Sequence, residues 1–419
     1  MSNQHWHEIK VGSTFNLVYG KGLRTKEFLK EGYNVYGANG IIGKYDQYTF
    51  EEEKIIISCR GAASGVVHKT LPKSFITSNS IVFNFPGEFI NIDFLKYALT
   101  NAEKQDIITG SAQPQITIQN LNKLSLPLPP LNEQKRIADK LDQVFQHIDS
   151  LQQRLNTIPE LLKQFRKMIL QKAVIGELTK KWRKENAIEE WINTRLANVC
   201  LSVTDGDHQA PPKVKNGIPF LVISNISKGV LNFDSVTRFV PREYFEALKE
   251  TRVPKIGDIL YTVTGSYGIS VLVEKNKEFC FQRHIAILKP DNTKVISEYL
   301  NYTINSSLIK EQADTVATGI AQKTVSLRGL RSFDIPLPSI EEQELVVKKI
   351  KDLFLLADQI ESKFNKIKQQ LDTLPQQLLT KAFRGELVSQ DHNDEPAEKL
   401  LKKIEEEIEN LKPTKKKRK

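Results

Sequence analysis

The chain repeats itself, and a long repeat at fixed register restricts the folds open to it more than any motif does. Thr109-Gly110-Ser111-Ala112-Gln113 recurs as Thr318-Gly319-Ile320-Ala321-Gln322, and Leu126-Pro127-Leu128-Pro129 as Ile335-Pro336-Leu337-Pro338. Glu133-Gln134 recurs as Glu342-Gln343, and Gly176-Glu177-Leu178 as Gly385-Glu386-Leu387. Each pair lies 209 positions apart, so 109–178 aligns on 318–387 without a gap, and 22 of those 70 positions are identical. A weaker echo opens each half: Trp6 before Val11-Gly12, and Trp191 before Leu196-Ala197. Segments 12–108 and 198–317 share little. The plan is variable, fixed, variable, fixed, and a solenoid of many short repeats does not fit it.

The fixed parts read as helices. Ile137, Leu141, Val144, Ile148, Leu151, Leu155 and Ile158 recur at spacings of three and four. So do Val346, Ile350, Leu353, Ala357, Ile360, Phe364, Ile367, Leu371, Leu374 and Leu378. Apolar seams between charged positions are the pattern of a coiled coil. A helix of about 30 residues is a rod of roughly 45 Å. Two matching seams in one chain favour mutual pairing over packing of each on its own domain. Pro159 is placed to open a new helix and Pro375 to kink one, while Gly176 and Gly385 are natural stops. The proline-rich entries would fix the angle at which each rod leaves its domain.

The variable parts read as mixed α and β. Lys54–Ser58, Ser80–Asn84, Asp258–Thr262 and His284–Leu288 look like strands, and Phe94–Asn101 and Ser297–Ser306 like short helices. Gly61, Gly65, Gly265 and Gly268 follow strands, where an exposed loop can approach a ligand closely.

Catalytic signatures are not recognisable. The glycines of Gly37–Gly43 have the wrong spacing for a phosphate loop, and Tyr45 stands where Ser or Thr would bind magnesium. No GxGxxG follows a strand, and HExxH, GxSxG and an Asn-Pro-Pro-aromatic motif do not occur. Asp46 with Glu52-Glu53-Lys54 leaves open a metal-dependent nuclease, although such residues are usually solvated. The seven histidines form no metal-ligand pair. Three scattered cysteines, Cys59, Cys200 and Cys280, argue for a reducing cytoplasm and against a zinc site. The start of the chain does not read as a signal peptide, and no apolar run reaches the roughly 18 residues of a membrane span. Net charge is +10, but Lys412–Lys419 carries six of those charges. Charge therefore permits nucleic-acid binding without requiring it.

In combination the motifs resemble a known family. The first variable part carries Val35-Tyr36-Gly37-Ala38-Asn39-Gly40-Ile41-Ile42-Gly43, then Ile55-Ile56-Ile57 and Arg60-Gly61. The second carries Asp205-Gly206-Asp207-His208, Gly217-Ile218-Pro219-Phe220, Pro254–Leu260 and Gly265-Ser266-Tyr267-Gly268. Each half then has Pro-Leu-Pro followed by Glu-Gln. Over about residues 1–390 this order is similar to the specificity subunit of type I restriction-modification enzymes.

The resemblance implies a mixed α/β (α+β) chain. Two globular target recognition domains would be separated by two long helices in an antiparallel coiled coil, with an internal pseudo-twofold repeat. The expected domains are a first recognition domain at 1–125, a helical spacer at 126–190, a second recognition domain at 191–334, a second spacer with C-terminal helix at 335–411, and a basic tail at 412–419. Each recognition domain would read half of a split double-stranded DNA target, with the helices as a ruler. Two methyltransferase subunits would dock and bring S-adenosylmethionine. Two restriction (motor-nuclease) subunits, with ATP and magnesium, would join them in the cytoplasm at the nucleoid. This chain itself would hold no cofactor and catalyse nothing. A coiled-coil scaffold for proteins alone is the remaining alternative.

Candidate DNA contacts are polar residues in or beside glycine turns. In the first variable part they are Lys21, Arg24, Lys26, Tyr36, Asn39, Lys44 and Arg60. In the second they are His208, Gln209, Lys213, Asn225, Tyr267, Gln282, Arg283 and His284. Arg suits guanine, Asn and Gln suit adenine, and Lys more often holds phosphate. Gln113 and Gln322, being shared, suit structure, phosphate or a partner better than base reading. Leu400, Leu401, Ile404 and Ile408 could pack a C-terminal helix back on the molecule.

Overall fold

The computed structural model describes residues 5–85, 88–110, 112–188, 190–207, 211–227, 229–320 and 322–410. The chain divides into two compact units, one made of Met1–Leu155 with Lys366–Lys419, the other of Asn156–Asn365. The ends of the inner unit are themselves 209 positions apart, so the division follows the sequence repeat. The basic tail lies outside the described residues.

In the first unit, Asn16–Tyr19, Ser80–Asn84, Ile55–Ser58 and Val67–Lys69 form a four-stranded sheet in that order. A second sheet runs Gly40–Tyr45, Tyr33–Gly37, Phe75–Ile76, and its last pairing is parallel. Ile55, Ile56 and Ile57 are all fully buried. A run of β-branched residues, rather than an alternating one, is what a strand covered on both faces requires. The helix Ile92–Asn101 is started by Asn91, whose side chain accepts from Phe94 N–H at 2.8 Å. It buries Phe94, Leu95, Ala98 and Leu99.

The second unit repeats this topology from unrelated residues. Its four-stranded sheet runs Cys200–Asp205, Ile285–Pro290, Ile259–Thr262, Ser270–Leu272. Its three-stranded sheet runs Phe239–Val240, Ile218–Leu221, Cys280–Phe281, again with a parallel last pairing. Each unit is tied by a two-stranded antiparallel ladder that holds the proline motif: His7–Lys10 with Ser125–Leu128, and Ile192–Arg195 with Asp334–Leu337. Prolines are tolerated in such short ladders because few backbone bonds are lost.

The repeated Glu-Gln is structural. Gln134 is fully buried; its Oε1 accepts from Asn91 N–H at 3.0 Å, and its amide donates to Pro129 O at 3.0 Å. Gln343 does the same with Ile296 N–H at 2.8 Å and Pro338 O at 3.0 Å. One side chain thus joins the long helix, the proline turn and the start of a globular helix.

Long helices span Leu131–Leu155, Ile158–Val174 and Ile340–Phe383. The first two are separated at Asn156-Thr157, and Pro159 sits in the first turn of the second. The third has 44 residues, about 66 Å at the usual rise, and runs through Pro375 without a break. Gly176 and Gly385 end their helices at φ 73° and 71°, and Glu177 and Glu386 N–H close back on Lys172 and Lys381 O. Inside the second unit the helices pair antiparallel. Arg166 meets Asp358 and Glu361 at 2.7 and 2.8 Å, Lys349 Nζ reaches Leu178 O, and Arg183 meets Glu342. The apolar seam is buried unevenly. Ile137, Leu141, Val346 and Ile350 are fully buried where a globular core covers them, whereas Leu151, Ile360 and Ile367 are 40–47% exposed. The C-terminal helix Ala397–Asn410 packs Leu400 and Ile404 into the core of the first unit.

Candidate nucleic-acid interface

At one end of each four-stranded sheet the loops converge on a tight turn. In the first unit this is Thr77–Ser80, closed by Ser80 N–H on Thr77 O at 3.1 Å. Three neighbours fix it: Thr77 N–H donates to Tyr36 O, Ser78 N–H to Lys21 O, and Cys59 N–H to Asn79 O, at 2.9–3.0 Å. In the second unit the turn is Gln282–Ile285, closed by Ile285 N–H on Gln282 O at 3.0 Å. Gln282 N–H donates to Leu221 O and Val263 N–H to His284 O, both at 3.0 Å. Parallel bridges pair Lys21 with Thr77 and Asp207 with Gln282. These bonds make Thr77, Ser78 and Asn79 the counterparts of Gln282, Arg283 and His284, and Lys21 the counterpart of Asp207.

A glycine makes each crossing possible. A Cβ on Gly20 would stand 2.2 Å from Thr77 O, and one on Gly206 would stand 2.2 Å from Phe281 O. Real side chains never approach so closely, so the backbone needs glycine at both positions.

The repeated Thr-Gly loops reach the same end. Gly61 N–H donates to Pro114 O at 2.9 Å and Gly265 N–H to Lys323 O at 3.0 Å. Arg60 bridges Gln115, and Thr264 bridges Thr324. Gln113 and Gln322 are exposed there.

Several sequence candidates gather at these turns. Lys21, Asn39 and Arg60 are exposed around the first. The Ala38-Asn39 hairpin is held by Ser58 Oγ and Ser80 Oγ, which donate to Ala38 O and Gly37 O. Gln282, Arg283 and His284 are the second turn itself, with Arg283 exposed. Burial first, and the charge of Arg283 second, hold the His284 imidazole below its usual pKa. Tyr267 is half-buried; its hydroxyl donates to Asp314 at 2.7 Å and Lys310 lies 3.7 Å from its ring centre. Asp207 accepts from Tyr244 at 3.2 Å, and Arg252 lies 3.7–3.8 Å from Asp205 and Asp207. Burial, then the charge of Asp207, push the Tyr244 phenol up to about 12.

Two candidates are corrected. Tyr36 is only 5% exposed, packs with Ile56, Ile76 and Val82, and its hydroxyl accepts from Leu71 N–H at 3.1 Å. It sits in a strand buried on both faces and belongs to the core. Asn225 is 3% exposed, accepting from Val222 N–H at 2.8 Å and donating to Ser235 Oγ at 3.0 Å. It staples the 222–238 loop that replaces the two-residue hairpin of the first unit. Arg24, Lys26 and Lys213 are exposed, and Lys44 donates to Asn34 Oδ1 at 2.6 Å; no described contact ties these four to the turns. His208 and Gln209 lie outside the described residues.

Sequence reasoning missed Ser78 and Asn79, which follow a two-residue strand without local signature. Two acids of the nuclease alternative are ion-paired: Glu52 meets Lys54 at 3.3 Å and Glu53 meets Lys69 at 3.2 Å. Among the described residues, no group of three or more His, Cys, Asp or Glu is placed to hold a metal. No described helix is long and apolar enough to cross a membrane.

Comparison with known proteins gives this geometry a family. Residues 3–160 and 188–370 match the Type I restriction modification DNA specificity domain. The chain is 32% identical over 315 residues to the EcoBI specificity subunit of Escherichia coli, covering 70% of this chain and 66% of that one. It is 31% identical over 337 residues to the EcoKI specificity subunit of Escherichia coli strain K12, covering 75% and 70%. The chain thus spans about two thirds of the length of these relatives. Its fold is similar to that of a chain in a solved type I R-M system, a structure concerned with complex assembly and conformational transition. There the TM-score is 0.64 at 19% identity, covering 92% of this chain and 99% of the other. The two matched stretches fall on the two units whose turns and glycines correspond, and the chain accordingly belongs to the type I restriction-modification DNA specificity family.

Proposed function

We propose that this chain reads a split double-stranded DNA target, each unit reading one half. The carrying observation is the duplicated frame with divergent side chains: Lys21, Ser78 and Asn79 stand where the other unit has Asp207, Arg283 and His284. A scaffold that binds only proteins has no need to hold one turn by the same bonds twice and vary what it presents. Recognition by 1–125 and 191–334, joined through helical segments 126–190 and 335–411, accounts for this division. Phosphate contacts from Lys21, Arg24, Lys26, Lys44 and Lys213 would position the duplex, and the turns would carry base discrimination. Bound half-sites on one face of DNA lie about 34 Å, or one helical turn, apart. Helices of the length seen here can serve as the ruler.

Duplicated helical surfaces suit two copies of one partner. On this reading two methyltransferase subunits dock and bring S-adenosylmethionine. Two motor-nuclease subunits bring ATP and magnesium, and the assembly works on DNA in the cytoplasm. Mapping methylated adenine across a host genome, with and without this gene, tests the reading. Loss of one split motif, methylated on both strands, is the expected result. An unchanged methylome with the partner methyltransferase expressed overturns it. Inserting seven residues within 340–374 should lengthen the gap and leave both half-sites intact; altered half-sites would refute the ruler.

A further inference from the structure

We propose that the central residues of the two matched turns, Ser78-Asn79 and Arg283-His284, are specificity determinants, each pair addressing base edges in one half-site. This rests on the DNA-reading function above and goes further, because it assigns the selecting residues, two of which lay outside every sequence candidate.

Three observations converge. The first is rigidity. In each unit the turn is closed on itself and tied to two or three neighbouring segments through backbone bonds of 2.9–3.1 Å. A glycine presses against the carbonyls just before it, Gly20 in one unit and Gly206 in the other. Base selection needs side chains held to within about half an ångström, and backbone locked to a sheet holds them better than a free loop. The second is presentation. Asn79 and Arg283 are exposed, Ser78 and His284 partly so, and among the described residues none of their side chains is hydrogen-bonded or ion-paired within the protein. The third is divergence. The closing bond and two holding bonds recur in both units, while the presented pairs differ completely. That is the signature of a fixed holder with an exchangeable reader.

The residue types also fit. Asn pairs bidentately with adenine and Arg with guanine. Ser hydroxyl and His ring nitrogens each offer donor or acceptor capacity. With its pKa held down by burial and Arg283, His284 stays largely neutral at physiological pH and keeps one acceptor nitrogen. By contrast, Gln113 and Gln322 sit beside the turns in a repeated loop. A residue identical in both units cannot distinguish two different half-sites.

The test exchanges the pairs in the full chain, co-expressed with its methyltransferase, and reads the methylome. S78R/N79H should alter or relax base preference in one half of the motif only. R283S/H284N should do so in the other half only. Discrimination at an affected position should fall about 10- to 100-fold. A motif preserved base for base in both exchanges overturns the assignment. So does uniform weakening without changed base preference, which would make the turns phosphate contacts. If an exchange abolishes methylation, Asn79→Ala and His284→Ala decide, since each only trims a presented side chain. Relaxed preference in one half supports the proposal and an unaltered motif sinks it. A wild-type chain that directs no split motif instead breaks the function on which the proposal rests.

Discussion

The two units have the same sheets in the same order, yet their buried polar anchors agree in one place and part in another. Gln134 and Gln343 make equivalent bonds to equivalent backbone groups. Glu133 and Glu342, one residue earlier, do not. Glu342 is fully buried and meets Arg183 Nη1 and Thr179 Oγ1, both at 2.5 Å. Glu133 is as buried, but its nearby arginine, Arg136, is bound to Asp394 at 2.7 Å. Burial raises the Glu133 carboxyl above the usual range, against the lowering effects of Trp6 and Arg136. The lesson is that a repeated residue is not a repeated interaction. The glutamine bonds to backbone, which the fold duplicates. Glu342 bonds to side chains, Arg183 and Thr179, and that pairing is not repeated at Glu133.

The sharpest way to break the correspondence is at the crossing glycines. Gly20→Ala and Gly206→Ala should each cost about 3 kcal/mol or more, because a carbonyl stands where Cβ must go. Gly22→Ala meets nothing within 4 Å and should stay within about 0.5 kcal/mol. Urea unfolding reads all three; a silent Gly206→Ala would dissolve the alignment of the units. Next come the glutamines. Gln134→Leu and Gln343→Leu each strand a backbone N–H and should lose about 2–3 kcal/mol. Similar losses sharpen the comparison, and a difference well beyond about 1 kcal/mol would undo it.

The glutamates should then diverge. Glu342→Gln breaks a largely buried ion pair and should cost about 2 kcal/mol, discounted for the partial exposure of Arg183. Glu133→Gln has the opposite sign at neutral pH. The folded protein favours protonated Glu133, so that contribution is full below the unfolded pKa and is lost as pH rises through the folded one. A glutamine mimics the protonated form, and the variant should gain on the wild type as pH rises from the ordinary glutamate range through the raised folded pKa. Thermal melts across that range check the slope; a loss that grows with pH would refute it.

What the sequence disclosed follows from the range of each signal. Periodicity and register are local, so strands such as Ser80–Asn84, the long helices and the repeat were legible. Tyr36 was misread because Val35, Tyr36 and Gly37 are all buried, and no alternation marked the tyrosine as core. Asn79 was missed because its place depends on the parallel pairing of Phe75–Ile76 with Val35–Tyr36, which leaves no trace in neighbouring residues. The match of Gly20 with Gly206 escaped because they lie 186 positions apart, off the 209 register that the unequal loops between them disturb.

The discontinuity of the first unit has a consequence during synthesis. Its second segment begins at Lys366, 211 residues after its first ends at Leu155. At about 5–20 residues per second, the ribosome needs roughly 10–40 s to supply it. Over that interval the nascent first unit lacks Leu379, Ala382, Leu400 and Ile404, which complete its core. The inner unit, contiguous in sequence, can finish folding although it emerges later. The half begun first is therefore the half completed last.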